Sequence, residues 1–251
     1  MSSDQREHIV SSFDADLGRL DNMIAEMGGL AESQLARSIE ALQKRDIEAA
    51  EKIVLADKRI DNLEDEIYEF TIKLIALRQP MADDLRIVIS AIKISGVLER
   101  IGDYAKNMSK RTIVLKKSPA MGSALNTVSR MGNLVQGMIK NALDAYISRD
   151  ADMANDVRER DHEVDLLHSS LFRELLTYMM EDPRHITPCA HLLFVAKNIE
   201  RIGDHATGIA EQAHFMVHGE MPHDDRPKGD SSSTTSVMLE EFKNENGRST
   251  S

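Results

Sequence analysis

A chain of 251 residues can bury a substantial core, either as one large domain or as two of ordinary size. Its 42 acidic residues against 31 basic ones give a net charge of −11, which repels phosphate backbones and argues against nucleic acid as a partner. The single cysteine, Cys189, excludes an intrachain disulfide, and no run approaches 18 uncharged apolar residues, so no membrane-spanning helix is expected.

The opening MSSDQREHIVSSFD lacks the apolar segment of a secretory signal, so none is expected there. Prolines stand only at 80, 119, 183, 188, 222 and 227. Proline costs about 3 kcal/mol in a helix interior, so the long proline-free runs between them are where long helices can form. Aromatic residues are few, tryptophan is absent, and no alternating β-branched run bounded by turn residues stands out. The expected class is all-α.

In chain order, the first predicted helix runs from about Phe13 to Lys44, with a bend expected at Gly28–Gly29. A second starts after Asp46, a good N-cap residue, and stops before Pro80. A third runs from about Ala82 to Leu115, with Asp83 and Asp84 at its positive end and Arg86 close behind. The stretch KKSPAMGS (116–123) reads as a linker. Three more helices follow, at about 123–148, 150–181 and 187–219.

The second triplet repeats the first. Asp57, Ile60, Asp61, Leu63 and Ile67 find counterparts 104 residues on, in Asp161, Val164, Asp165, Leu167 and Leu171. The pentapeptide ERIGD occurs at 99–103 and again 101 residues later, at 200–204. The expectation is therefore two tandem three-helix bundles with six long antiparallel helices, at 8–116 and 122–219. Residues 220–251 form a polar tail rich in Pro, Gly and Ser, expected to be disordered.

Acids recur at helical spacing. Glu99 and Asp103 are four apart and share one face, as do Glu200 and Asp204, Asp57 and Asp61, and Asp161 and Asp165. Like charges at this spacing repel by a few tenths of a kcal/mol, so four such pairs in corresponding helices call for a reason. If the second and third helices form an antiparallel hairpin about Pro80, Asp61 pairs in height with Glu99, and Asp57 with Asp103. Asp165 with Glu200 and Asp161 with Asp204 do the same about EDPR in the second half.

Two readings of these carboxylate layers stand side by side. Surface ion pairs from Lys58, Arg59, Arg100, Arg160 and Arg201 could neutralise them at under about 1 kcal/mol each. Alternatively, each layer is an oxygen-rich metal site, since hard cations take carboxylate oxygens. Gly102 and Gly203 favour close approach at the layer, because glycine inside a helix costs about 1 kcal/mol relative to alanine.

Histidines are weaker candidates. His205 follows Asp204 where the first half has Tyr104, and His162 is expected to face solvent. His168 stands where the first half has no histidine, and Cys189 and His191 share no helical face well.

The segments FDADLGRLDNMIAEMGGLAESQLARSIEAL, RQPMADDLRIVISAIKISGVLERIGDYAKN and NIERIGDHATGIAE resemble the PhoU family over about residues 8–219. The resemblance implies two PhoU-type three-helix bundles in a chain that often forms a homodimer. It also implies iron, zinc or related cations held by the acidic motifs, here Asp57, Asp61, Glu99, Asp103, Asp161, Asp165, Glu200 and Asp204.

In function the resemblance implies a non-enzymatic, cytoplasmic negative regulator of phosphate uptake. It would act by contact with the ATPase subunit of a phosphate ABC transporter and with a phosphate-sensing histidine kinase, and would meet the membrane only through those partners. The rival reading is a ferritin-like di-metal carboxylate enzyme, which needs Glu-x-x-His pairs in the bundle core. Only Glu211-x-x-His214 and Glu220-x-x-His223 have that spelling, and neither has a counterpart in the first half.

Overall fold

Aspartate side chains start the second helical arm of each half. Asp46 accepts a hydrogen bond from the Ala49 N–H at 2.9 Å, and Asp150 accepts from the Asp152 and Met153 N–H groups at 3.0 Å. Just before each cap the chain passes through the left-handed region, at Arg45 (φ 54°) and Arg149 (φ 58°), which turns it sharply back. The computed structural model describes residues 3–118 and 122–222.

In chain order the helices are α1 (Ser3–Lys44), α2 (Ile47–Ala56), α3 (Lys58–Arg78), α4 (Asp83–Val114), α5 (Gly122–Ser148), α6 (Ala151–Glu181) and α7 (Ile186–His218). Short 3₁₀ turns at Leu115–Lys117 and Pro183–His185 end α4 and precede α7. No strand occurs among the described residues, and the fold is all-α with six long helical arms. Residues 119–121 of the expected linker and 223–251 of the expected tail lie outside the described residues.

Two expectations are refined. The predicted second helix is divided at Asp57 into α2 and α3. Asp57 keeps helical angles (φ −53°, ψ −35°), but its carbonyl accepts from the Ile60 N–H at 2.8 Å. The divide is thus a tightened turn rather than an interruption. The first helix stays helical through Gly28 and Gly29.

Each half places its first helix against a hairpin, α1 against α2–α4 and α5 against α6–α7, and the halves meet where α1 packs on α5 and α4 on α7. Gly28 explains itself there, because a side chain on it would run into Leu143 of α5. The counterpart of Gly28 is Gly132 and that of Leu143 is Ile39, and a side chain on Gly132 would run into Ile39. This reciprocal contact is the mark of a local twofold relation between the halves.

The core runs through both halves without a gap. Leu20 and Leu35 of α1, Leu98 of α4, Ile139 of α5, Leu171 of α6 and Ile199 of α7 belong to one buried cluster. A smaller cluster of Ala41, Ala50 and Ile53 seats α2 on α1.

Candidate functional site

The first carboxylate layer is built where the tightened turn at Asp57 meets α4. Asp57 is only 3 % exposed, and a carboxylate that dry needs hydrogen-bond donors. Gln34 of α1 supplies one, donating from Nε2 to Asp57 Oδ1 at 2.7 Å and to the Gly102 carbonyl at 3.0 Å. Lys106 supplies the charge, its ammonium donating to both Asp57 and Asp103 and so tying α3 to α4.

Burial opposes the charge on Lys106. The hydrogen bonds to Asp103 and Asp57 outweigh it and hold the ammonium above the ordinary lysine range.

Asp61 lies near enough to Glu99 for its charge to bear on it. Asp61 has its pKa raised by burial and then by the Asp57 charge, with Lys106 opposing. Glu99 is raised by burial and then by Asp103, with Asp61 a smaller contributor. The charges of the neighbouring aspartates thus bear on both Asp61 and Glu99.

The cations expected at their surface mostly serve elsewhere. Arg59 pairs with Glu26 at 2.7 Å and Glu66 at 3.3 Å, while Arg100 meets Glu99 at 3.6 Å. Lys106, which no spacing argument singled out, carries the neutralisation. Its position three residues after Asp103 was the available signal.

The second layer has the same frame and a different filling. Asp165 and Glu200 are each 7 % exposed, whereas their counterparts Asp61 and Glu99 are exposed and half-buried; Asp161, at 7 %, is buried like its counterpart Asp57. In place of Gln34 stands Met138, and in place of Lys106 stands Thr207, whose hydroxyl donates to the Gly203 carbonyl at 3.1 Å. Lys197, where the first half has Gly96, reaches Glu200 Oε1 at 2.8 Å. Glu200 Oε2 is buried with no hydrogen-bond partner. Burial raises the Glu200 pKa first, Lys197 opposes, and Asp204 and Asp165 add to the rise.

Both ERIGD glycines admit the carboxylate of the facing helix. A Cβ on Gly102 would stand 2.9 Å from Ile60 Cδ1 and 3.3 Å from Asp57 Oδ1, and one on Gly203 would stand 3.2 Å from Asp161 Oδ1. The close approach inferred from sequence is therefore made by an aspartate.

Among the described residues, no three His, Cys, Asp or Glu side chains converge, as they stand, on one point within reach of an ion. In the second layer Lys197 meets only one oxygen of Glu200, and the other, Oε2, is a buried carboxylate oxygen without a hydrogen-bond partner, as a hard cation's ligand would be. The first layer suits an ion less, because an ammonium already stands between Asp57 and Asp103.

The histidines and the cysteine fall into other roles. His205 stacks on Tyr104, its counterpart in the first half, with ring centroids 5.5 Å apart and planes 26° from parallel. Burial lowers its pKa, with Asp204 opposing and Arg100 and Arg201 adding to the fall. His162 is half-buried rather than solvent-facing, and His168 is buried.

Cys189 is buried and its thiol is pushed up by that burial, while His191 contacts Arg111 at 3.3 Å. Glu211 faces Arg158 at 4.0 Å and His214 meets the Glu220 carbonyl at 3.3 Å, so this Glu-x-x-His pair takes no part in either layer. The other such pair ends at His223, which lies outside the described residues.

A sequence model of the PhoU domain matches the chain twice, at residues 24–112 and 128–213. Each match contains one acidic layer. The phosphate-specific transport system accessory protein PhoU homolog of Rhizobium meliloti (strain 1021) is 50 % identical over 227 residues, 90 % of this chain and 96 % of that one. The homolog of the same name from Caulobacter vibrioides is 51 % identical over 224 residues, covering 89 % and 97 %.

Among solved structures, PhoU from Pseudomonas aeruginosa superposes with a TM-score of 0.80 at 38 % identity, covering 83 % of this chain and 100 % of that one. PhoU from Streptococcus pneumoniae does so with a TM-score of 0.79 at 27 % identity, covering 84 % and 100 %. With both halves matched and half of all residues shared along nine-tenths of its length, the chain belongs to the PhoU family.

Proposed function

We propose that this chain is a cytoplasmic regulator of phosphate homeostasis, an accessory of the phosphate-specific transport system that restrains uptake when phosphate is plentiful. The observation that carries this reading is the 50 % identity, over 90 % of the chain, to a homolog named as an accessory protein of the phosphate-specific transport system. Regulation runs by protein contact with the transporter's ATPase subunit and with a phosphate-sensing histidine kinase, and the regulator works as a homodimer rather than as an enzyme. No described helix is long and apolar enough to cross a membrane, which suits a protein that reaches the transporter through its cytoplasmic partner.

Cations are part of the same reading. Asp161, Asp165, Glu200 and Asp204 would hold iron, zinc or another divalent or trivalent ion. The ion would supply the positive charge that lets α6 and α7 keep four acids at one level.

Deleting the gene tests the regulatory claim. Phosphate-starvation genes are expected to be derepressed at high phosphate, read as transcript levels, and normal repression would reject the reading. A pull-down against the ATPase subunit and the kinase distinguishes the two proposed contacts.

A further inference from the structure

The two acidic layers are copies by descent with differently placed cations: Lys106 bridges two acids of the first, whereas Lys197 meets a single oxygen of Glu200 in the second. In the first layer Lys106 projects from α4 between Asp57 and Asp103 and donates to both. Its side chain is 21 % exposed, so the ammonium is held inside the layer and occupies one oxygen of the carboxylate on either side of it. In the second layer the same position is Thr207, whose hydroxyl is turned to its own helix, at the Gly203 carbonyl. There the buried Glu200 Oε2 has no hydrogen-bond partner.

We infer that Lys106 is a built-in counter-ion that closes the first carboxylate layer to multivalent cations, so that cation uptake by this chain is confined to the second layer. The part concerning the second layer rests on the metal reading proposed above, while the closure of the first does not.

Three features of the first layer act together. An ammonium touching two carboxylates would have to leave before a metal could take those oxygens, and it would then lie as a like charge beside the incoming ion. Gln34 adds a neutral donor to Asp57, leaving the most buried acid of the layer satisfied. Asp61 is exposed, so the remaining carboxylates keep water for company and have less need of an ion. In the second layer Lys106 and Gln34 are both replaced, by Thr207 and Met138, and the counterpart of Asp61 is the buried Asp165.

The test is a titration of the chelator-treated full chain with Mn²⁺ alone, reading bound ion by electron paramagnetic resonance and thermal midpoint in parallel. In the unaltered protein, Asp103→Asn is expected to leave bound Mn²⁺ unchanged, whereas Glu200→Gln abolishes it. Lys106→Met, which keeps the stem and removes the charge, is expected to gain about one further Mn²⁺ per chain, and adding Asp103→Asn to it removes the gain. Thr207→Lys should close the second layer as Lys106 closes the first. It leaves no buried acid without a partner, so it reports even if Lys106→Met folds poorly.

A fall in bound Mn²⁺ on Asp103→Asn alone, or no gain on Lys106→Met, overturns the inference about the first layer. Mn²⁺ bound only after Lys106→Met would uphold the closure by Lys106 and reject the metal reading of the second layer.

Discussion

A hydrogen atom in place of a methyl decides how near Asp57 and Asp161 can stand to α4 and α7. Alanine at Gly102 would gain about 1 kcal/mol of helix propensity but would force Ile60 and Asp57 aside. Gly102→Ala is therefore expected to lose a net 1–3 kcal/mol or so in urea unfolding, the usual cost of overpacking. Gly29→Ala, at a position with nothing within 4 Å of the added carbon, is expected to gain about 0.5–1 kcal/mol.

Glu200 offers a second residue-scale prediction. Its carboxyl has a raised pKa in the fold, so its charge costs stability at neutral pH, and that cost fades as pH falls through the raised value towards the ordinary one. In metal-free protein Glu200→Gln is expected to raise the thermal midpoint at pH 7.5, by a few degrees for about 1 kcal/mol. The difference from the unaltered chain should shrink towards pH 4.5. A difference that grows on acidification would contradict the sign. The acids themselves were legible, because i, i+4 spacing survives any fold. Gln34 and Lys106 were not, since Gln34 acts from α1 on another helix and Lys106 looks like any solvated lysine until Asp57 is seen beside it.

Helix ends follow from proline and aspartate, and the arms fall close to where those residues place them. The divide at Asp57 was not visible, because the segment there contains neither glycine nor proline and the turn tightens without leaving helical angles. Sequence also marks Gly28 as a weak point of α1, while the structure makes it a contact. Gly28 receives Leu143, and Gly132 receives Ile39. Gly132→Ala is expected to destabilise by about 1–3 kcal/mol through overpacking, and Ile39→Ala to destabilise by about 2–5 kcal/mol through a cavity. Combined, they should cost less than their sum, with a coupling of about 0.5–3 kcal/mol measurable by a double-mutant cycle in urea. Strict additivity would mean that α1 and α5 do not bear on each other there.

At the scale of the molecule, the duplication was the most legible feature, since a repeated hydrophobic stripe and a repeated pentapeptide need no coordinates. What sequence could not convey is that the halves share one core and face each other by a local twofold relation, because contact between repeats leaves no periodic trace. The stack of Tyr104 on His205 sits at that seam. A true twofold would lay a ring on its own copy, whereas here a phenol meets an imidazole that burial keeps towards its neutral form. A chain assembled from two first halves would set tyrosine on tyrosine, and one from two second halves histidine on histidine. The halves have therefore lost interchangeability, and the molecule has acquired a polarity that duplication alone would not have given it.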